Sequence, residues 1–190
     1  LAAASEFADR IITCLAATKT FNLAGAHVGA CVVSNAALKR RLDQRIAASG
    51  LGSYNSFGMI ATEAAWRTGE PWLDALLVYL AGNRDLFDAR IKEAIPGAQP
   101  MPLKSTYLAW VNFTGTGLTP EDVTERVKYR ARIFASPGEQ FGPGGAGWLR
   151  LNFAVPRPLL NEALGRLGSA FEDVRDMTQR ESQSPRSLRT

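Results

Sequence analysis

Read for its alternation of apolar and polar positions, the chain opens with a capped helical turn at Ser5–Arg10 and two short apolar runs, Ile11–Leu15 and Val28–Val33. Both are continuous and partly β-branched, the pattern of strands covered on both faces. A polar loop carrying Lys19 separates them. Ser34 or Asn35 then caps a helix over Ala36–Ala48, in which Leu38, Leu42 and Ile46 recur at i, i+4 and i+8 and turn one face inward. A second, alanine-rich helical pattern covers Asn55–Trp66. The longest helix runs from Pro71, at its first turn, to about Ala94. Its apolar stripe includes Trp72, Leu76, Leu80, Phe87 and Ile91, and Pro96-Gly97 stops it.

After this helix the character changes. Thr106–Phe113, Ala131–Ala135 and Trp148–Phe153 read as strands. Leu118-Thr119-Pro120-Glu121 starts a helix between the first two, and Pro156 to about Val174 forms another after the third. The implied class is α/β. The expected organisation is one domain over residues 1–70, a long connecting helix over 71–97 and a small α/β domain over 98–174. Residues 175–190, rich in Arg, Ser and Gln, read as a disordered tail.

Composition narrows the picture modestly. With 190 residues, 46% hydrophobic and 21% charged, the chain is of ordinary globular type. The net charge of +4 permits an anionic partner, but the basic residues are spread over helix surfaces and gathered only in the tail, so no nucleic-acid partner is expected. No apolar stretch approaches the roughly 20 residues that span a bilayer, and the first residues lack the pattern of a signal peptide. No membrane partner and a cytoplasmic location are the expectation. Cys14 and Cys31 lie in apolar runs and read as small buried hydrophobes, not a disulfide framework. No metal-ligand spacing is present.

The strongest local signal is Thr18-Lys19-Thr20-Phe21-Asn22-Leu23-Ala24-Gly25, placed directly after a predicted strand, where ordinary packing has little use for a lysine. Trp72-Leu73-Asp74, Asn83-Arg84-Asp85, Thr106–Trp110 and Gly147–Ala154 follow. The lysine segment resembles the Ser/Thr-Lys-x-Phe-Asn-x-x-Gly stretch of fold-type I pyridoxal-phosphate (PLP) enzymes. The later motifs stand in the order and approximate spacing of the class I/II aminotransferase family. The resemblance covers about Ser5 to Val174 and is nearest the branch of cystathionine β-lyase and cysteine-desulfhydrase-like carbon–sulfur lyases, the MalY/PatB type.

The resemblance implies the C-terminal portion of a PLP-dependent transferase-like large domain plus a small α/β C-terminal domain, with pyridoxal 5'-phosphate as cofactor. Lys19 would hold the cofactor as a Schiff base and, once displaced by an amino-acid substrate, serve as the base beside its Cα. Thr18 matches a hydroxyl residue that donates to the cofactor phosphate. His27 stands where many aminotransferases carry a phosphate-binding arginine, a departure from the pattern. Arg150 matches the arginine that pairs with the substrate α-carboxylate, although an arginine in a strand is equally an ordinary surface charge. Tyr54, Asn55, Tyr107 and Trp110 line a cleft or fill a core, and Phe141–Gly147 reads as a turn that brings Arg150 toward the cleft.

Family members are dimers with sites at the subunit interface, so a homodimer acting on a small amino-acid substrate is expected. Transamination and carbon–sulfur β-elimination use the same lysine and carboxylate clamp, and these residues do not separate them. The family also needs a phosphate cup, a stacking aromatic ring and an aspartate on the pyridine nitrogen, all preceding the lysine. These are expected from an N-terminal half outside this sequence, so the 190 residues alone are expected to be inactive and to expose apolar surface. The alternative is the PLP-binding ligand-sensor domain of a transcription regulator.

Overall fold

The computed structural model describes residues 6–51 and 53–183. The chain divides into two compact units, Leu1–Leu76 and Leu77–Thr190. In the first, β1 (Ile12–Leu15) and β2 (Ala30–Val33) form an antiparallel pair with Cys14 opposite Cys31. The helices α1 (Ala36–Ala48) and α2 (Ser56–Thr68) follow. Asn35 caps α1, its side-chain oxygen accepting from the backbone N–H groups of Ala37 and Leu38 at 2.8 and 3.0 Å. The last element of this unit is the start of α3 (Glu70–Ala94).

The two strands are not buried as expected. Ile12, Leu15 and Val32 are exposed, and so are Cys14 and Cys31. Among the described residues each strand pairs only with the other, and a two-stranded ribbon offers no interior to cover both faces. On α2, Phe57 is 85% exposed.

The second unit has a continuous core. From Leu77 onward α3 contributes Phe87 and Ile91, which are buried with residues of a four-stranded antiparallel sheet and of the helices that follow. That sheet has the order β3 (Gln99–Pro100), β4 (Leu108–Asn112), β6 (Trp148–Asn152), β5 (Ser136–Pro137). Ala109 and Val111 on β4 and Leu149 and Leu151 on β6 are buried, while Trp110, Trp148 and Arg150 stand between them on the other face. The helices α4 (Pro120–Glu125), α5 (Arg157–Ala170) and α6 (Glu172–Gln183) complete the unit.

Two expectations fail here. Ala131–Ala135 is not a strand, because α4 continues as a π-helical turn over Arg126–Arg130 that this segment terminates. The Ala131 N–H donates to Arg126 O, the Ile133 N–H donates to Val127 O, and Arg132 adopts a left-handed φ of 55° between them. Arg175 to Gln183 is helical, lying in α6, and Ser184–Thr190 falls outside the described residues. The helix has anchors that apolar periodicity does not reveal. Phe171 and Val174 are buried, Glu172 pairs with Arg175 at 3.0 Å, and Asp173 meets Arg126 in a two-bond fork at 2.5 and 2.8 Å.

A buried amide joins α3 to the sheet. Asn83, 0% exposed, donates to Phe153 O at 3.0 Å and Val155 O at 2.9 Å, and its oxygen accepts from Arg157 Nε at 3.0 Å. Replacing Asn83 by alanine leaves Phe153 O with the Val155 N–H but removes a partner from Val155 O and the acceptor of Arg157 Nε, and is expected to cost about 2–3 kcal/mol. A denaturant midpoint followed by tryptophan fluorescence reads this, and an unchanged midpoint would show that the amide is dispensable.

The Arg126–Asp173 fork gives a pH-dependent contribution of known sign. The Arg126 guanidinium holds the Asp173 carboxyl down at about 2, against an ordinary 3.8. A carboxyl depressed in the folded state stabilises above its unfolded value, and this contribution is lost as pH falls from about 4 through about 2. The Asp173 side chain is 56% exposed, so solvent screening limits the effect to under about 1 kcal/mol. Asp173→Asn is therefore expected to be slightly less stable than the parent at pH 7, the difference vanishing once the pH is below about 2. A difference independent of pH would mean that charge is not its source.

Candidate functional site: a lysine loop and an arginine on the sheet face

Lys19 lies in the turn that follows β1, and its side chain is exposed. The turn is tight: the Phe21 N–H donates to Ala17 O and the Leu23 N–H to Thr18 O, both at 2.9 Å, with Asn22 at φ 54°. Ala17 beneath it is buried. Phe21 stacks on Trp72 of α3 at 5.8 Å between ring centroids. A Cβ on Gly69 would come within 2.4 Å of the Phe21 ring, so the absence of a side chain at the α2–α3 junction makes room for this brace.

The far end of the loop is held by α2. Asn55 Nδ2 donates to Ala26 O at 3.1 Å, and Gly58 lets α2 approach Ala26 and Val28, where a Cβ would come within 2.6 Å of both. His27 follows in the left-handed region at φ 51° and is exposed, with Thr18 half-buried at the start of the loop. Among the described residues, the side chains of Lys19, Thr18 and His27 make no hydrogen bond or ion pair with the rest of the chain. A lysine amine and a hydroxyl with no internal partner, on a turn braced from two sides, suit a carbonyl cofactor with an anionic group. The residues present therefore fit pyridoxal phosphate.

Arg150 belongs to the other unit. It is half-buried in the middle of β6, opposite Trp110 on β4 and Ser136 on β5. Its Nη2 donates to Ser136 Oγ at 3.2 Å, and its guanidinium lies 4.6 Å from the centre of the Phe141 ring. No carboxylate pairs with it among the described residues, whereas Arg84, Arg126 and Arg166 each have one. Trp110 meets Phe141 edge-to-face at 5.4 Å and stacks on Trp148 at 5.7 Å.

The structure thus groups Thr18, Lys19 and His27 on one loop and places Arg150 among three aromatic rings in the second unit. Ser136 and Phe141 were not legible as partners of Arg150, because contact across a sheet and a returning turn leaves no spacing signal. Of the aromatic and amide candidates, Asn55 braces the lysine loop, Trp110 belongs to the ring cluster and Tyr54 is exposed. The cysteines, exposed on opposite strands, have sulfurs 3.8 Å apart, and the Cys14 thiol together with partial desolvation raises the Cys31 pKa.

Among the described residues, Lys19 on its braced turn and Arg150 on the sheet face are both without a carboxylate partner. The sequence model of "aminotransferase class I and II" matches residues 2–167, and the chain belongs to that family. It is 32% identical over 166 residues to cystathionine beta-lyase PatB of Bacillus subtilis, covering 87% of this chain and 43% of that protein. Among solved structures it is similar to cystalysin from Treponema denticola, which contains a pyridoxal 5'-phosphate cofactor, with a TM-score of 0.81 and 29% identity over 89% of this chain and 43% of that one. It is also similar to a PLP-bound C-S lyase from Staphylococcus hominis, with a TM-score of 0.74 and 27% identity over 86% of this chain and 41% of that one. The chain spans less than half the length of these relatives.

If Phe21 braces the turn, Gly69→Ala should loosen it without touching Lys19. Hydrogen-exchange protection of the Phe21 and Leu23 amides is expected to fall about tenfold, as for a local opening made about 1.4 kcal/mol easier. Unchanged protection would show that the turn holds itself.

Proposed function

We propose that the protein is a PLP-dependent enzyme acting on an α-amino acid, with Lys19 as the cofactor-bearing lysine and Arg150 as the anchor for the substrate carboxylate. The observation that carries this reading is the Lys19 amine, held on a braced turn and without a partner among the described residues. Pyridoxal phosphate, when bound, supplies an electron-withdrawing ring that stabilises negative charge at the substrate Cα. Thr18 Oγ1 would donate to its phosphate, and His27 would do so through a ring N–H.

The chain's own residues then have separable tasks. The Arg150 guanidinium presents a planar fork to the carboxylate, which fixes the orientation of the Cα–H bond. Lys19 Nζ accepts the Cα proton as a general base. Where the side chain carries a sulfur leaving group, the electron pair released at Cα expels a thiolate from Cβ. Where it does not, Lys19 would hand the proton on, and bound pyridoxal phosphate would supply the carrier that keeps the amino group for a 2-oxo-acid acceptor. The relatives named cystathionine β-lyase favour the carbon–sulfur lyase outcome.

The domain reading we propose keeps residues 1–70 as part of a cofactor-binding domain and 98–174 as a small domain, with 71–97 between them. A homodimer in the cytoplasm is proposed by the same family likeness. Among the described residues no helix is long and apolar enough to cross a membrane.

Borohydride reduction of the complete protein loaded with pyridoxal phosphate, followed by peptide mapping, tests the assignment. A single adduct at Lys19, absent in Lys19→Ala, is expected. Turnover in Lys19→Ala should fall by about 100-fold or more, the usual contribution of a positioned base. Scattered labelling would refute the assignment of Lys19.

A further inference from the structure

Resting on the reading of Arg150 as a carboxylate anchor, we infer that Ser136 and Phe141 are positioning residues that hold its guanidinium in one plane. An arginine side chain has several rotatable bonds, and a fork that wanders among rotamers loses entropy each time it binds. Two contacts restrict this one. The Ser136 hydroxyl accepts from Nη2 at 3.2 Å, fixing one corner of the guanidinium. The Phe141 ring, 4.6 Å away, covers one face. Neither contact supplies negative charge, so the arginine is oriented without being neutralised and its remaining N–H groups stay available to an anion.

The surrounding backbone is built to deliver both contacts. Ser136 stands opposite Arg150 in the β5–β6 register, which sets its hydroxyl beside the guanidinium. Phe141 reaches the same place because the connection from β5 to β6 folds back on itself. Gly138 and Gly145 cross so closely that a Cβ on either would lie 2.1 Å from the carbonyl oxygen of the other. The returning turn carries Phe141 over Arg150, and Trp110, edge-on to Phe141 and stacked on Trp148, backs the ring from the sheet. Residues that in sequence look like a plain glycine-rich turn thus close one side of the arginine.

A residue that orients a carboxylate anchor affects ligands with a carboxylate and spares those without one. The test uses the complete holoenzyme and two probes, L-alanine and L-alaninamide, whose neutral amide replaces the carboxylate. Dissociation constants come from the change in cofactor absorption. Ser136→Ala is expected to weaken L-alanine about 5-fold or more, the scale of a hydrogen bond to a charged group, and Phe141→Leu about 3-fold, the scale of a cation–π contact. Both should leave L-alaninamide within about twofold, and Phe141→Tyr, which keeps the ring face, should bind L-alanine like the parent. In an Arg150→Ala background, Ser136→Ala should have no further effect on L-alanine.

Equal losses for both probes would overturn the inference and mark the two residues as structural. Weakened L-alanine binding in Arg150→Ala, with none in Ser136→Ala or Phe141→Leu, would overturn the inference alone. No loss in Arg150→Ala would overturn the carboxylate-anchor reading and the inference with it.

Discussion

The second unit depends on one buried amide. Asn83 reaches from α3 to the two carbonyls just past β6, and its own oxygen is taken by Arg157 at the start of α5. Three elements are thereby fixed at one point, and the polar groups that would otherwise be stranded in an apolar core satisfy one another. Tyr79 reinforces the junction, its hydroxyl accepting from the Arg157 N–H at 2.6 Å. Because side chains alternate along a strand, the anchor at Phe153 also decides which residues of β6 face inward. Leu149, Leu151 and Phe153 enter the core, and Arg150 stands on the opposite face among the aromatic rings. A slip of one residue would bury the guanidinium and expose three apolar side chains.

The two candidate sites are held by different physics. The lysine turn is fixed by backbone hydrogen bonds and by close approaches that only glycine allows, at Gly58 and Gly69. Among the described residues, the side chains of Thr18, Lys19 and His27 have no hydrogen-bond or ion-pair partner. Arg150 is fixed through its side chain, by a hydroxyl and a ring face, whereas Arg84, Arg126 and Arg166 each have a carboxylate to neutralise them. A half-buried cation without such a partner is expensive unless something anionic comes to it. This is the physical ground for reading the sheet face as a place where an acid binds.

The sequence was most legible where local chemistry and packing agree. The limits of α1, Ala36–Ala48, follow from the Asn35 cap and the Leu38, Leu42, Ile46 repeat, and the structure places the helix there. The alternation in Trp148–Phe153 likewise identifies β6. It was misleading at Ala131–Ala135, whose apolar, partly β-branched residues suit a strand but are consumed in ending a π-turn. The continuation of α6 past Val174 was missed because its anchors, Asp173 on Arg126 and Phe171 in the core, are tertiary contacts of a segment with little apolar periodicity. Cys14 and Cys31 were misjudged because an apolar run signals a tendency to be buried, while burial itself requires a covering layer.

By itself the sequence determined the α/β class, the principal helices, the family, and the particular lysine and arginine on which the chemistry is proposed to rest. These follow from residue type, period and order along the chain, which are local properties or survive as motifs. Only the tertiary structure decided what touches what: Phe21 on Trp72, Asn83 on the end of β6, and Ser136 and Phe141 on Arg150. Such contacts join residues far apart in the chain through strand register and glycine-permitted crossings, and neither leaves a periodic trace. Lys19 and Arg150 can therefore be named from their motifs, while the partners that orient them become visible only once the chain has folded.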